Sequence, residues 1–219
     1  MPAAVILSHR AVAHETGHIG SWLESNDYEV IHVYREDPDV GLKSDEGDVL
    51  FALGSPNSVA TDFCLDPARS EIDLVSDWVS SGRAYIGVCF GAQVLACALG
   101  GSVHRMDVTY RAYGEMVLSN EAPDACAGSW AVWHEDAIRA PSQAQVLARL
   151  PHADTIFRVG NAWGIQPHIE FTSGIVQRLA KAFEVGSADV IKLRDDLRRN
   201  EVDHARRTHD LLTHILKSA

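Results

Sequence analysis

Cys89 stands between a run that reads as a β-strand and a run that reads as a helix, in AYIGVCFGAQVLACALGG over residues 84–101. The residues GVCFG repeat the nucleophile-elbow pattern, in which a reactive side chain is held at a sharp strand-to-helix turn. Gly87 and Gly91, two positions either side, leave room for the chain to cross itself closely. The position also supplies chemistry, because the unpaired N–H groups and the dipole at a helix N-terminus favour a thiolate over a thiol. Downstream, AWGIQPHIEF at 162–171 sets His168 and Glu170 two residues apart. On an extended strand such residues project to the same face. A nucleophile needs a base within hydrogen-bond reach and a third group to orient that base. Cys89, His168 and Glu170 fill those roles in order.

With these motifs the chain resembles a class I glutamine amidotransferase domain, and specifically the compact GMP-synthase-like group. The resemblance rests on GVCFGAQ at 87–93 and GIQPHIE at 164–170, supported by LGSPNS at 53–58 and WHED at 133–136. It implies amide hydrolysis through a thioester: Cys89 attacks the side-chain amide of L-glutamine, His168 moves the proton, and Glu170 orients the imidazole. It also implies that Gln93 contacts the substrate and that backbone N–H groups of Phe90 and Ser55, in the Gly54-Ser55 loop, hold the oxyanion. Two departures stand out. The family usually has Gly-Gly-Pro where this chain has Gly54-Ser55-Pro56, and a serine adopts positive φ only at some cost. Pro167 precedes the histidine and biases Gln166 toward the extended conformation that a strand leading to His168 would need.

Three functions are compatible with this pattern. The leading one is a glutaminase that passes ammonia to a separate synthetase, since the chain has no SGG-type phosphate loop. A self-contained γ-glutamyl hydrolase or peptidase is the second. A non-catalytic binding or regulatory protein on the same fold is the third, and the intact trio of Cys89, His168 and Glu170 argues against it. No cofactor is expected. HETGH at 14–18 matches the HExxH zinc-protease pattern. It is read as coincidence, because a catalytic zinc needs a third protein ligand in a supporting context and Gly17 sits inside the motif. No metal ligands are therefore assigned.

The elements that must position these residues read as an α/β domain, a flavodoxin-like open twisted mixed sheet with helices on both faces and the elbow after a central strand. Apolar runs at 4–7, 28–33, 48–53 and 84–88 read as strands, with helical spacing over HETGHIGSWLESN and over 71–82. That alternation predicts a parallel core. Short runs at 114–118, 130–134, 144–150, 155–160 and 163–169 read as strands that add mixed or antiparallel pairing. From Thr172 the pattern is helical, with Leu193, Leu197, Leu211 and Ile215 on a stripe that packs on the domain. Residues 1–219 are read as a single domain with a helical C-terminal segment over about 172–219.

Composition narrows the partners. A formal net charge of −11 with no basic stripe argues against nucleic acid. The four cysteines show no CxxC pair and no zinc spacing, which suits reduced thiols. The apolar run in MPAAVILSHR is too short, and lacks a basic start, for a signal peptide, and no stretch approaches a membrane span. A cytoplasmic location is expected.

Overall fold

The computed structural model of the chain describes residues 1–10, 15–37, 47–60, 64 and 66–217. The first four strands are β1 (Ala3–Ser8), β2 (Glu29–Tyr34), β3 (Val49–Ala52) and β4 (Ala84–Val88), and all are paired in parallel. Every residue of β3 is buried, as expected for strands covered on both faces. The intervening helices are α1 (Gly17–Ser25), α2 (Asp66–Ser80) and α3 (Phe90–Ala98).

Alternate side chains along each strand divide between two buried clusters. Ala4, Ile6, Phe51 and Ile86 face one cluster with Ile19, Trp22 and Leu23 of α1. Val5, Leu7, Leu50 and Tyr85 face the other with Val75 and Trp78 of α2 and Val94 and Leu95 of α3. The two-residue period of a strand thus sends successive side chains to opposite helical layers.

After α3 come β5 (Ser102–Glu115), β6 (Val117–Leu118), β7 (Ser129–Arg139), β8 (Gln145–Leu150), β9 (Ala153–Val159) and β10 (Ala162–Ile165). The main sheet has eight strands in the order β2-β1-β3-β4-β10-β9-β8-β6. Strand β10 joins β4 in parallel, and β9, β8 and β6 extend the sheet antiparallel. This is the flavodoxin-like mixed sheet expected from the sequence, with the elbow leaving a central strand.

The structure departs from the sequence expectation at two strands. β5 starts at Ser102 rather than near Gly114 and forms a separate antiparallel ribbon with β7, with a register shift between Arg105 and Tyr110. Its residues are mostly half-buried or exposed, so it carries no continuous apolar run. β10 ends at Ile165, so His168 and Glu170 lie in the turn that follows it and not on a strand.

The C-terminal helices are α4 (Ser173–Ala182) and α5 (Ala188–Lys217). Thr172 caps α4, its side-chain oxygen accepting from the Ile175 N–H at 3.1 Å. Asn200 has φ −119° and ψ 15°, which kinks α5 into two packing segments. Leu193 and Leu197 pack against α4, whereas Leu211, Leu212 and Ile215 join the cluster on the α1 face. Among the described residues no helix is long and apolar enough to cross a membrane.

His204 of α5 is fully buried, its ring packed edge-on against His18, Tyr113 and Trp130. Burial, reinforced by His18 and Arg207, pushes its pKa down to about 3. The folded state therefore keeps His204 neutral where the unfolded chain, with an ordinary histidine pKa, takes up a proton. Stability is lost as pH falls from about 6.5 toward 3, by about 1.4 kcal/mol per unit for a group fully titrating in the unfolded chain. Denaturant unfolding at pH 7 and pH 5 checks this. Wild type should lose roughly 2 kcal/mol more over that interval than His204→Phe.

Candidate active site

The elbow is built by close packing of backbone. Cys89 has φ +50° and ψ −103° and is the residue immediately before α3. A non-glycine residue held there stores on the order of 1–3 kcal/mol, which the surroundings must offset. They do so with hydrogen bonds from the Cys89 N–H to the Ile165 carbonyl at 2.8 Å and from the Gln93 N–H to the Cys89 carbonyl at 3.0 Å. A Cβ on Gly91 would stand 2.0 Å from the Ala52 carbonyl oxygen, and one on Gly87 would stand 2.5 Å from the Gly91 carbonyl. Both glycines are thus sterically required where α3 crosses the sheet. The Tyr85 hydroxyl donates to the Gly91 carbonyl at 2.8 Å and holds the crossing from below.

His168 Nδ1 lies 2.8 Å from Glu170 Oε1, and both side chains are buried. The imidazole stacks on Phe171 with centroids 3.9 Å apart. Its backbone N–H donates to the Ala131 carbonyl at 2.8 Å, so β7 fixes the turn from one side. Elsewhere the turn is braced by the His18 N–H on the Glu170 carbonyl, 3.1 Å, and by the Thr208 hydroxyl on the Ile169 carbonyl, 2.7 Å. Burial disfavours an imidazolium at His168, but the charge of Glu170 and the neighbouring Cys89 outweigh it and hold the pKa well above its ordinary value. Glu170 thus favours the charged form of the ring.

The Trp133 carbonyl sits beside both groups, 3.7 Å from Cys89 Sγ and 3.2 Å from His168 Nε2. A backbone acceptor has no sequence signature, and the spacing of motifs did not reveal this one. Burial pushes the thiol of Cys97 up to about 11 and that of Cys126 up to about 12, which keeps both protonated.

A cavity of about 380 Å³ opens over these groups, lined by Gly54, Ser55, Cys89, Gln93, His168 and Glu170. Gln93 is buried and its amide approaches Gln166 Oε1 at 3.5 Å. Phe90 does not line the cavity; its side chain is buried beneath the elbow. Ser55 is not among the described non-glycine residues with positive φ, which are Asp27, Cys89 and Glu184. The backbone cost anticipated for serine in this loop is thus not incurred. Its hydroxyl instead lies 2.6 Å from His9 Nε2 and accepts from the Asn57 N–H at 2.9 Å.

In the HETGH motif, His14 lies outside the described residues. Glu15 receives two hydrogen bonds from Arg178, at 2.7 and 2.6 Å, and His18 packs on His204. Among the described residues no group of three or more His, Cys, Asp or Glu side chains is arranged to hold a metal.

Residues 12–181 match the family Glutamine amidotransferase class-I, and the chain belongs to that family. It is similar to the glutamine amidotransferase-like protein YfeJ of Salmonella typhimurium, 29% identical over an alignment of 161 residues that covers 67% of this chain and 66% of that one. It is also similar to GMP synthase [glutamine-hydrolyzing] of Thermus thermophilus, 34% identical over 150 residues, 64% of this chain and 28% of the relative. The chain thus spans just under two thirds of the first relative and under a third of the second. The solved structure of a glutamine amidotransferase from Thermotoga maritima superposes with a TM-score of 0.80 at 20% identity, covering 98% of this chain and 97% of that one. At that identity the likeness speaks for the fold, which is the class I glutamine amidotransferase fold.

Proposed function

We propose that the cavity hydrolyses the side-chain amide of glutamine through a thioester on Cys89, and that the ammonia serves a separate synthetase. The carrying observation is Cys89 in a strained elbow beside the 2.8 Å His168–Glu170 pair, all opening on one cavity. Sγ adds to the amide carbon while the charge moving onto the carbonyl oxygen is taken by N–H groups of Phe90 and Ser55. The imidazolium of His168 then gives its proton to the amide nitrogen, the C–N bond breaks, and ammonia leaves a γ-glutamyl thioester. His168, now neutral, takes a proton from water as the water attacks the thioester, which frees glutamate and Cys89. Glu170 holds the ring and stabilises its charged form throughout. Gln93, which lines the cavity, contacts the substrate in this reading.

The synthetase role draws support from the similarity to the glutamine-hydrolysing GMP synthases. Residues 1–219 serve in this reading as one domain, and the packing of α5 on both the α1 face and α4 supports it.

A γ-glutamyl hydrolase is the second reading, favoured by one feature of the cavity. Trp133, Leu179, Phe183 and Val185 also line it, an apolar wall that the carboxamide of glutamine does not need. Steady-state kinetics on purified protein decide between the two. An ammonia donor should release ammonia from glutamine with a kcat/KM at least equal to that for γ-glutamyl-alanine. A kcat/KM for the dipeptide more than about tenfold above that for glutamine, a difference of about 1.4 kcal/mol in transition-state binding, contradicts the donor role.

A further inference from the structure

Arg35 follows β2, and its guanidinium is buried with the carboxylate of Glu71 from α2, side chains 2% and 4% exposed. Nε donates to Glu71 Oε2 at 2.6 Å and Nη2 to Oε1 at 3.0 Å. A buried pair of this kind is weak support for stability, because apolar residues of similar volume often serve the fold as well or better. The fork has a second use here. Nη2 also donates to the Leu53 carbonyl at 2.8 Å, and the guanidinium carbon lies 4.9 Å from the centroid of the Phe90 ring.

Phe90 carries one of the two oxyanion donors in the reading above, and Leu53 opens the loop that carries the other, Ser55. The Leu53 N–H is already tied to the Leu7 carbonyl at 3.0 Å, so Arg35 secures the other end of the residue. A carbonyl held by Arg35 fixes the plane of the Leu53–Gly54 peptide, the peptide immediately before the one that carries the Ser55 N–H. Beyond it the loop passes close to the reacting groups: a Cβ on Gly54 would be 3.1 Å from His168 Cε1 and 3.9 Å from Cys89 Cβ. The loop thereby lies between Arg35, which holds the Leu53 carbonyl, and the Cys89–His168 pair.

We infer that Arg35, oriented by Glu71, is a positioning residue that aligns both arms of the oxyanion site, the Gly54-Ser55 loop through the Leu53 carbonyl and the start of α3 through Phe90. This rests on the amide-hydrolysis reading above. Arg35 touches no reacting atom. Its effect falls on the transition state, where charge develops on the oxygen, and not on ground-state binding. Lysine cannot replace it, because a single ammonium cannot form the planar fork that joins Glu71 to Leu53.

The test uses Arg35→Lys and the double variant Arg35→Met/Glu71→Met, which leaves no unpaired buried charge. Glutamine hydrolysis, thermal unfolding and iodoacetamide alkylation of Cys89 are measured on each, since alkylation needs the nucleophile and no oxyanion donors. The expected result for the double variant is a folded protein whose kcat falls by about 10- to 100-fold. KM and the Cys89 alkylation rate should stay within about twofold of wild type. Arg35→Lys should lose kcat in the same direction. A folded double variant with wild-type kcat overturns the inference, as does a fall in alkylation that matches the fall in kcat. If the double variant does not fold, wild-type kcat in Arg35→Lys overturns it equally. Hydrolysis that survives Cys89→Ala defeats the amide-hydrolysis reading itself, and the oxyanion frame with it.

Discussion

Cys89→Ala and His168→Ala are each expected to reduce glutamine hydrolysis by about 10⁴-fold or more, since groups that act as a unit fail together when either is removed. Cys89 supplies the atom that bonds to substrate, and His168 is the group placed to move protons at both the leaving nitrogen and the attacking water. Glu170→Gln should leave a measurable remnant. A glutamine side chain still fills the space beside Nδ1, but it cannot stabilise the imidazolium whose pKa Glu170 raises. The remnant should therefore show a pH profile shifted to lower pH, because the His168 proton is held less tightly. Ammonia release across pH 5–9 on the three variants reads out both effects. Wild-type rates in His168→Ala would remove the base from this scheme.

Gly91→Ala is expected to destabilise the fold strongly. The added Cβ would stand 2.0 Å from the Ala52 carbonyl oxygen and 2.9 Å from the Ala52 Cβ, and a backbone atom of a central strand cannot swing aside as a side chain can. Overpacking of this kind costs about 3 kcal/mol or more where backbone must shift. For a chain of this size that corresponds to a fall in Tm of roughly 6–12 °C. Gly82→Ala is the contrasting control for space, since nothing lies within 4 Å of its Cβ position, although its φ of +79° adds backbone strain of its own. A Gly91→Ala protein with wild-type Tm would contradict the close crossing.

What the sequence made legible is what short-range patterning encodes. The glycines on either side of Cys89 marked a backbone crossing, and their carbonyl clearances show why no larger residue fits. The runs at 4–7 and 84–88 read as strands because residues covered on both faces must be continuously apolar. The pairing of His168 with Glu170 was visible in their spacing, but the geometry invoked for it was wrong. They meet across a turn after β10, held by β7, α1 and α5, rather than side by side on a strand. β5 was missed over residues 102–113 because a half-exposed ribbon strand needs no apolar run. Arg35 was invisible for a different reason. It is one of nineteen basic residues, and only tertiary packing distinguishes a buried fork from a solvated side chain. The Trp133 carbonyl beside Cys89 and His168 belongs to the backbone, on which side-chain identity is silent.

Covalent labelling of the nucleophile tests the central claim most directly. The protein is treated with a glutamine-analogue electrophile, digested, and its thiol peptides are mapped by mass spectrometry. Only Cys89 stands in the elbow beside His168; Cys97 and Cys126 are held as thiols by burial, and Cys64 does not line the cavity. The account predicts one label per chain, on the peptide that carries Cys89, with labelling blocked by excess glutamine. Label spread evenly over Cys64, Cys89, Cys97 and Cys126, or Cys89 labelling that glutamine does not protect, would contradict it.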